Sequence, residues 1–127
     1  MSTVRPRTIL VVEDEPTVAD LLVTLLRDEG YGVELARTGR EALGVLVREC
    51  APSDNLALVL LDMMLPDHHG LAVLQDPAVA RLGVPVIALS ADAPTLAAAV
   101  PLGAVAALSK PFDLDELLRL VAHYCRP

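Results

Sequence analysis

Lysine is nearly absent from this 127-residue chain: nine of its ten basic residues are arginine, and Lys110 is the exception. Basic clusters are missing as well, because the arginines stand singly apart from Arg5 and Arg7, and the net charge is −7. That balance excludes the electrostatic footprint of a nucleic-acid surface. Long apolar runs are also lacking. The first, Ile9-Leu10-Val11-Val12, is too short for a signal peptide or a membrane span, so a cytoplasmic protein is expected. The two cysteines, Cys50 and Cys125, fall where helices should end and have no ligand-like neighbours. Reduced thiols are expected there rather than a disulfide or a metal pair. No repeat, low-complexity segment or linker interrupts the chain, whose length suits one well-packed domain. Residues 8–125 are expected to form it, with residues 1–7 as a tail.

What is present is 54% hydrophobic and sharply patterned. Three apolar runs each deliver a chemically capable residue at or just past their end: 9–12 into Glu13 and Asp14, 58–61 into Asp62, and 105–108 towards Lys110. Continuous apolar runs suit parallel strands buried on both faces, and open α/β sheets bind ligands outside the carboxyl ends of their strands. Three acids and one ammonium would then share a crevice suited to a metal and a phosphoryl group. A lone lysine among arginines fits a site needing a compact ammonium instead of a planar fork, and it equally fits chance in an Arg-biased chain.

Between the runs lie amphipathic stretches. Val18, Leu21, Leu22, Leu25 and Leu26 follow helical spacing after Pro16, with Gly30 to stop them. Thr38 and Glu41 form a capping-box pattern ahead of an inner stripe of Leu43, Leu46, Val47 and Cys50, closed by Pro52. A short third helix starts at Gly70 and should stop near Asp76-Pro77, before a strand over 84–89. A fourth helix over 95–100 is broken by Pro101 and Gly103, and a fifth is capped by Asp113 with Glu116 at the capping-box position. With Val33-Glu34-Leu35 as the second strand, five βα units alternate. That order predicts a doubly wound α/β fold: a five-stranded parallel sheet with helices on both faces and right-handed crossovers.

These residues resemble the receiver domains of two-component response regulators, over nearly the whole chain. The resemblance is carried by Glu13-Asp14-Glu15 after the first strand, Asp62 in Leu-Leu-Asp-Met-Met-Leu-Pro, Gly70, Ser90-Ala91, and Lys110-Pro111-Phe112. Each motif alone is weak, but all five occur in order at strand ends. It implies that Asp62 is a phosphoacceptor, attacking a phosphohistidine on a sensor histidine kinase or phosphotransfer protein. It further implies Mg2+ held by Asp14 and Asp62 directly, by Glu13 through water and by the Met64 backbone carbonyl, a set of hard oxygen donors. Lys110, Ser90 and the Ala91 amide would take the phosphoryl oxygens, with Pro111 following a cis peptide. Such a protein is a signalling phosphoacceptor rather than an enzyme.

Other roles for the same residues stay open at this stage. Asp14 could cap the first helix, Glu13 could be a solvated loop acid and Ser90 a turn hydroxyl; buried after four apolar residues, Asp62 needs a partner. His68 and His69 lack further ligands at zinc spacing and fit a solvated loop. The chain also departs from the family. Ala107 stands where receivers usually carry a switch aromatic, and residues 93–109 hold no charge. Leu96, Val100 and Leu102 could therefore form an apolar face for a second copy or an effector, or merely belong to a bland helix. Met64 and Asp92 occupy positions that influence water attack in the family, and Met64 cannot orient that water by hydrogen bonding. A haloacid-dehalogenase-like phosphatase also uses an aspartate, a lysine and magnesium, but wants an Asp where Met64 stands. A receiver-like scaffold that works without phosphate is a further alternative, and a dinucleotide-binding module is disfavoured by the absence of a Gly-rich turn.

Overall fold

A computed structural model of the chain describes residues 7–48 and 55–125. Five strands alternate with helices: β1 (Thr8–Val12), α1 (Pro16–Asp28), β2 (Gly32–Ala36), α2 (Gly39–Arg48), β3 (Leu56–Asp62), α3 (Gly70–Leu74), α4 (Pro77–Leu82), β4 (Val86–Ser90), α5 (Ala93–Ala99), β5 (Ala106–Ser109) and α6 (Leu114–Tyr124). All strand pairs are parallel, in the order β2-β1-β3-β4-β5. The chain runs outward from β1 in one direction to β2 and then reverses to β3. β1 and β3 therefore flank the point where the order switches, and crevices for ligands open at that point.

Alternation along each strand divides the core in two. Leu10 and Val12 join Val59, Leu61 and Ala88 under α2, α3 and α5, whereas Ile9 and Val11 join Leu58, Leu60, Ile87 and Leu89 under α1 and α6. Both faces of β1 and β3 are covered, which is why their sequences read as unbroken apolar runs. Leu22 and Leu26 supply the buried stripe of α1, and Leu117 and Val121 that of α6.

The helix starts follow from side-chain chemistry. Glu15, not Asp14, caps α1, its carboxylate accepting from the amides of Thr17 at 3.3 Å and Val18 at 2.9 Å. The capping alternative for Asp14 is thereby removed. Gly30, with φ 95°, carries the chain past α1 in a conformation that favours glycine. Thr38 Oγ1 accepts the Glu41 amide at 3.0 Å, as the capping-box pattern predicts, while the Glu41 carboxylate accepts the Arg37 amide at 2.8 Å. Asp113 caps α6 through the amides of Asp115 and Glu116.

Three expectations need correction. Asp76-Pro77 ends α3 but also starts α4, with Asp76 as cap and Pro77 in the first turn. Five helices therefore become six, within the same five βα units. Val47, assigned to the inner stripe, is 63% exposed, because Ala42, Val45 and Leu46 already face the core. Leu21 is likewise exposed: it borders a groove on the outside of α1 instead of entering the core. Cys50 and Pro52 lie outside the described residues, as does the tail up to residue 6. Cys125 is a buried free cysteine at the end of α6.

Candidate functional site

Each acid is placed by the strand that precedes it. Glu13 follows β1 directly and is wholly buried, with its amide donating to the Ala36 carbonyl at 3.0 Å. Asp62 is the last residue of β3 and only 4% exposed. Asp14 is one residue further out and exposed to solvent. One carboxylate oxygen from each of Glu13, Asp14 and Asp62 lies within 4.8 Å of the others, and among the described residues no other group of three or more His, Cys, Asp or Glu side chains is so arranged. His68 and His69 belong to no such cluster.

Lys110 enters the cluster from the far side of the sheet. It follows β5, its amide donates to the Ser90 carbonyl at 2.9 Å, and the Lys110–Pro111 peptide is cis. Its ammonium donates to Glu13 Oε1 at 2.7 Å and stands 3.3 Å from Asp62 Oδ2. The remaining oxygens are used as well: Asp62 Oδ1 accepts the Met64 amide at 3.0 Å, and Glu13 Oε2 accepts the Glu15 amide at 3.2 Å. The buried carboxylate thus has the partner that burial demands.

The charges perturb one another. Burial pushes the Glu13 carboxyl up to about 6, helped by the adjacent Asp62 carboxylate and opposed by the Lys110 ammonium and the Glu15 amide. Burial acts to lower the Lys110 pKa, but its bond to Glu13 and the charges of Asp62 and Glu13 outweigh that and raise it. Three carboxylates around one ammonium leave an excess of negative charge at a partly open pocket. All the donors are hard oxygens, and Asp14 faces solvent that could complete a hydrated octahedron, so the residues present suit a Mg2+ site of receiver type.

Ser90 ends β4 and is 1% exposed, with its Oγ accepting the Asp92 amide at 3.0 Å. That contact is the turn bond that a serine here can make in any protein. Asp92 caps α5, its carboxylate accepting from the Thr95 amide and hydroxyl; those bonds hold its carboxyl below the usual range. Ala91 is exposed and borders, with Lys110, Pro111 and Phe112, a groove that Val18, Leu21 and Leu114 complete. Ala107 of β5, half-buried, pairs with Ala88 of β4, so no aromatic ring occupies that position.

The profile of the family described as the response regulator receiver domain matches residues 9–122. The chain belongs to that family. It is 41% identical over 112 residues, 87% of its length, to the transcriptional regulatory protein DltR of Streptococcus agalactiae, covering 48% of that protein. It is 40% identical over 123 residues, 95% of its length, to the DNA-binding response regulator MtrA of Mycolicibacterium smegmatis, covering 51% of it. The chain spans about half the length of these curated relatives. Among solved structures, a CheY-like receiver domain protein from Methanospirillum hungatei superposes with a TM-score of 0.81 at 28% identity, over 94% of this chain and 93% of the other. The receiver domain of NtrX from Brucella abortus does so with a TM-score of 0.80 at 30% identity, over 92% and 97%. The receiver fold with the order 2-1-3-4-5 and an acidic pocket of Glu13, Asp14 and Asp62 is therefore established for this receiver.

Sequence reasoning missed the loop that follows β3. Asp67 accepts the amides of Gly39 and Arg40, and His69 caps α3, its Nδ1 accepting the Leu71 amide at 3.2 Å. The Asp and His before a helix were a usable signal for His69. No local pattern announces that Asp67 reaches α2. No described helix is long and apolar enough to cross a membrane.

Proposed function

We propose that residues 8–125 act as one phosphoaccepting receiver domain in which Asp62 takes a phosphoryl group from the phosphohistidine of a sensor histidine kinase or phosphotransfer protein. The observation that carries the reading is the position of Asp62, buried at the end of β3 with the chain's sole lysine 3.3 Å from its carboxylate. An Asp62 oxygen forms the new O–P bond, the P–N bond to the donor imidazole breaks, and the released imidazole takes up a proton. Asp14 and Asp62 would hold Mg2+ directly, Glu13 through water and Met64 by its backbone carbonyl. Bound there, the ion would screen the carboxylates and neutralise charge on the phosphoryl oxygens.

The protein's own groups supply the rest. Lys110 balances the oxygens that gather charge, the Ser90 hydroxyl, whose Oγ accepts the Asp92 amide, donates its proton to a phosphoryl oxygen, and the Ala91 amide donates beside it. Met64, 53% exposed, offers no polar side chain to orient an attacking water. Its phosphoryl group should outlast that of Met64→Asn several-fold in a decay assay with magnesium.

Partner switching would use the charge-free segment 93–109. Val100 and Leu102 are exposed there, whereas Leu96 is half-buried and contributes less than its sequence position promises. A second copy or an effector is the partner of this face. DNA contact, which the name of the mycobacterial relative states for that protein, would belong to an attached unit and not to this acidic domain.

Incubation with a small phosphodonor, with magnesium or with a chelator, tests the reading by intact mass and by donor consumption. One magnesium-dependent adduct per chain with little turnover supports a receiver. Many cycles of donor consumption would favour a phosphatase, and no adduct would favour a scaffold that works without phosphate.

A further inference from the structure

Residues 63–69 carry the amide that bonds the Asp62 carboxylate, yet Met64, Pro66, Asp67 and His69 are exposed. The base of this loop is closed by the Gly70 amide, which donates to the Met63 carbonyl at 2.7 Å, and by an antiparallel bridge between Met64 and His69. Only glycine fits at position 70, where a Cβ would stand 2.4 Å from Met63 Cα. The tip is held by a different element. Asp67 Oδ1 accepts the Gly39 amide at 2.7 Å and Oδ2 accepts the Arg40 amide at 3.0 Å, both at the start of α2.

His68 packs against the same place. A Cβ on residue 39 would come within 2.7 Å of the His68 Cβ, so glycine at the helix start lets the loop seat. α2 is itself fixed, since Ala42, Val45 and Leu46 share a core with Met63, Val73 and Leu74. Hydrogen bonds from two amides at the start of α2 therefore hold the tip of an exposed loop whose other end contacts the acidic pocket.

We infer that Asp67 is a positioning residue for phosphoryl acceptance: by pinning the loop tip to α2 it fixes the Met64 main chain, and through the Met64 amide the orientation of the Asp62 carboxylate. Asp67 is not among the three acids of the pocket, and its carboxylate oxygens are taken up by the Gly39 and Arg40 amides. The inference rests on the reading of Asp62 as phosphoacceptor. Freeing the loop restores backbone entropy to several residues, and a misplacement of about 1 Å at reacting groups costs up to about a hundredfold in rate.

The test compares wild type, Asp67→Ala, Asp67→Asn and Thr38→Ala. Thr38→Ala removes a different cap from α2, the hydroxyl that accepts the Glu41 amide, and leaves both Asp67 hydrogen bonds their partners. Three quantities are read: Mg2+ affinity by calorimetry, the rate of adduct formation from phosphoramidate at saturating magnesium, and Tm. Both alanine variants should lower Tm, but only Asp67→Ala should weaken Mg2+ binding and slow adduct formation, by roughly tenfold. Asp67→Asn, which keeps one acceptor oxygen, should recover part of the loss. Unchanged affinity and rate in Asp67→Ala, or equal losses in Thr38→Ala, would reduce Asp67 to a helix cap and overturn the inference. If Asp67→Ala does not fold, Asp67→Asn against Thr38→Ala decides on the same criteria. A wild type that forms no adduct would instead overturn the phosphoacceptor reading, and Mg2+ affinity would still judge Asp67.

Discussion

The two halves of the sheet's carboxyl edge are built on opposite principles. Around β1 and β3, carboxylates crowd within 4.8 Å of one another, with partners specified to the atom. Around α5 and β5, the segment 93–109 carries no charged residue and consists largely of alanine and other small or apolar side chains. Lys110 joins the halves: its backbone is bonded to Ser90 and its ammonium to Glu13. Chemistry on phosphoryl groups demands fixed oxygens and a fixed cation, whereas a surface that changes partners needs only shape and apolar area. The contrast predicts that substitutions in the first half cost function or fold, and that those in the second alter association.

The largest effect should come from the residue that joins them. Lys110→Arg keeps the charge but replaces a compact ammonium with a planar fork, and adduct formation should fall by about a hundredfold or more, as when a preorganised donor is lost. An unchanged rate would make Lys110 a structural counter-ion and erase the contrast. Next comes Gly70→Ala, which places a Cβ 2.4 Å from Met63 Cα. Overpacking of that kind should destabilise by about 2–3 kcal/mol in denaturant unfolding. Gly44→Ala, where a Cβ meets nothing within 4 Å, should instead stabilise α2 by roughly 0.5–1 kcal/mol.

A smaller effect is expected at Asp67, through pH. Desolvation acts to raise its carboxyl, but the amides of Gly39 and Arg40, the His68 side chain and its own backbone amide together outweigh that and hold it down at about 2. A folded pKa below the unfolded value of 3.8 contributes stability above pH 4 that is lost as pH falls through about 2. The stability difference between wild type and Asp67→Asn should therefore shrink over that window in acid titrations. A difference that stays constant would contradict the clamp. Smallest is Val100→Glu, at a half-exposed position of the charge-free segment. Folding stability should change by less than about 0.5 kcal/mol. Sedimentation should show any phosphorylation-dependent dimer lost, and an unaltered dimer would move the association surface elsewhere.

The sheet was legible because burial on both faces leaves unbroken apolar runs, and the acids were legible because each follows such a run. Contacts between distant segments were not. Asp67 meets residues 27 and 28 positions away, and no local pattern encodes that reach. The missed α4 has a different cause. Asp followed by Pro can end one helix and cap the next, and Asp76-Pro77 does both. Leu21 and Val47 misled because helical spacing marks an apolar stripe without saying how wide the buried part is.

The most direct test of the central claim is intact mass after phosphoramidate and Mg2+, for wild type and Asp62→Asn side by side. The account predicts a single phosphoryl adduct, discharged by hydroxylamine as an acyl phosphate should be, on the wild type and none on the variant. No adduct on the wild type, or the same adduct on Asp62→Asn, would contradict it.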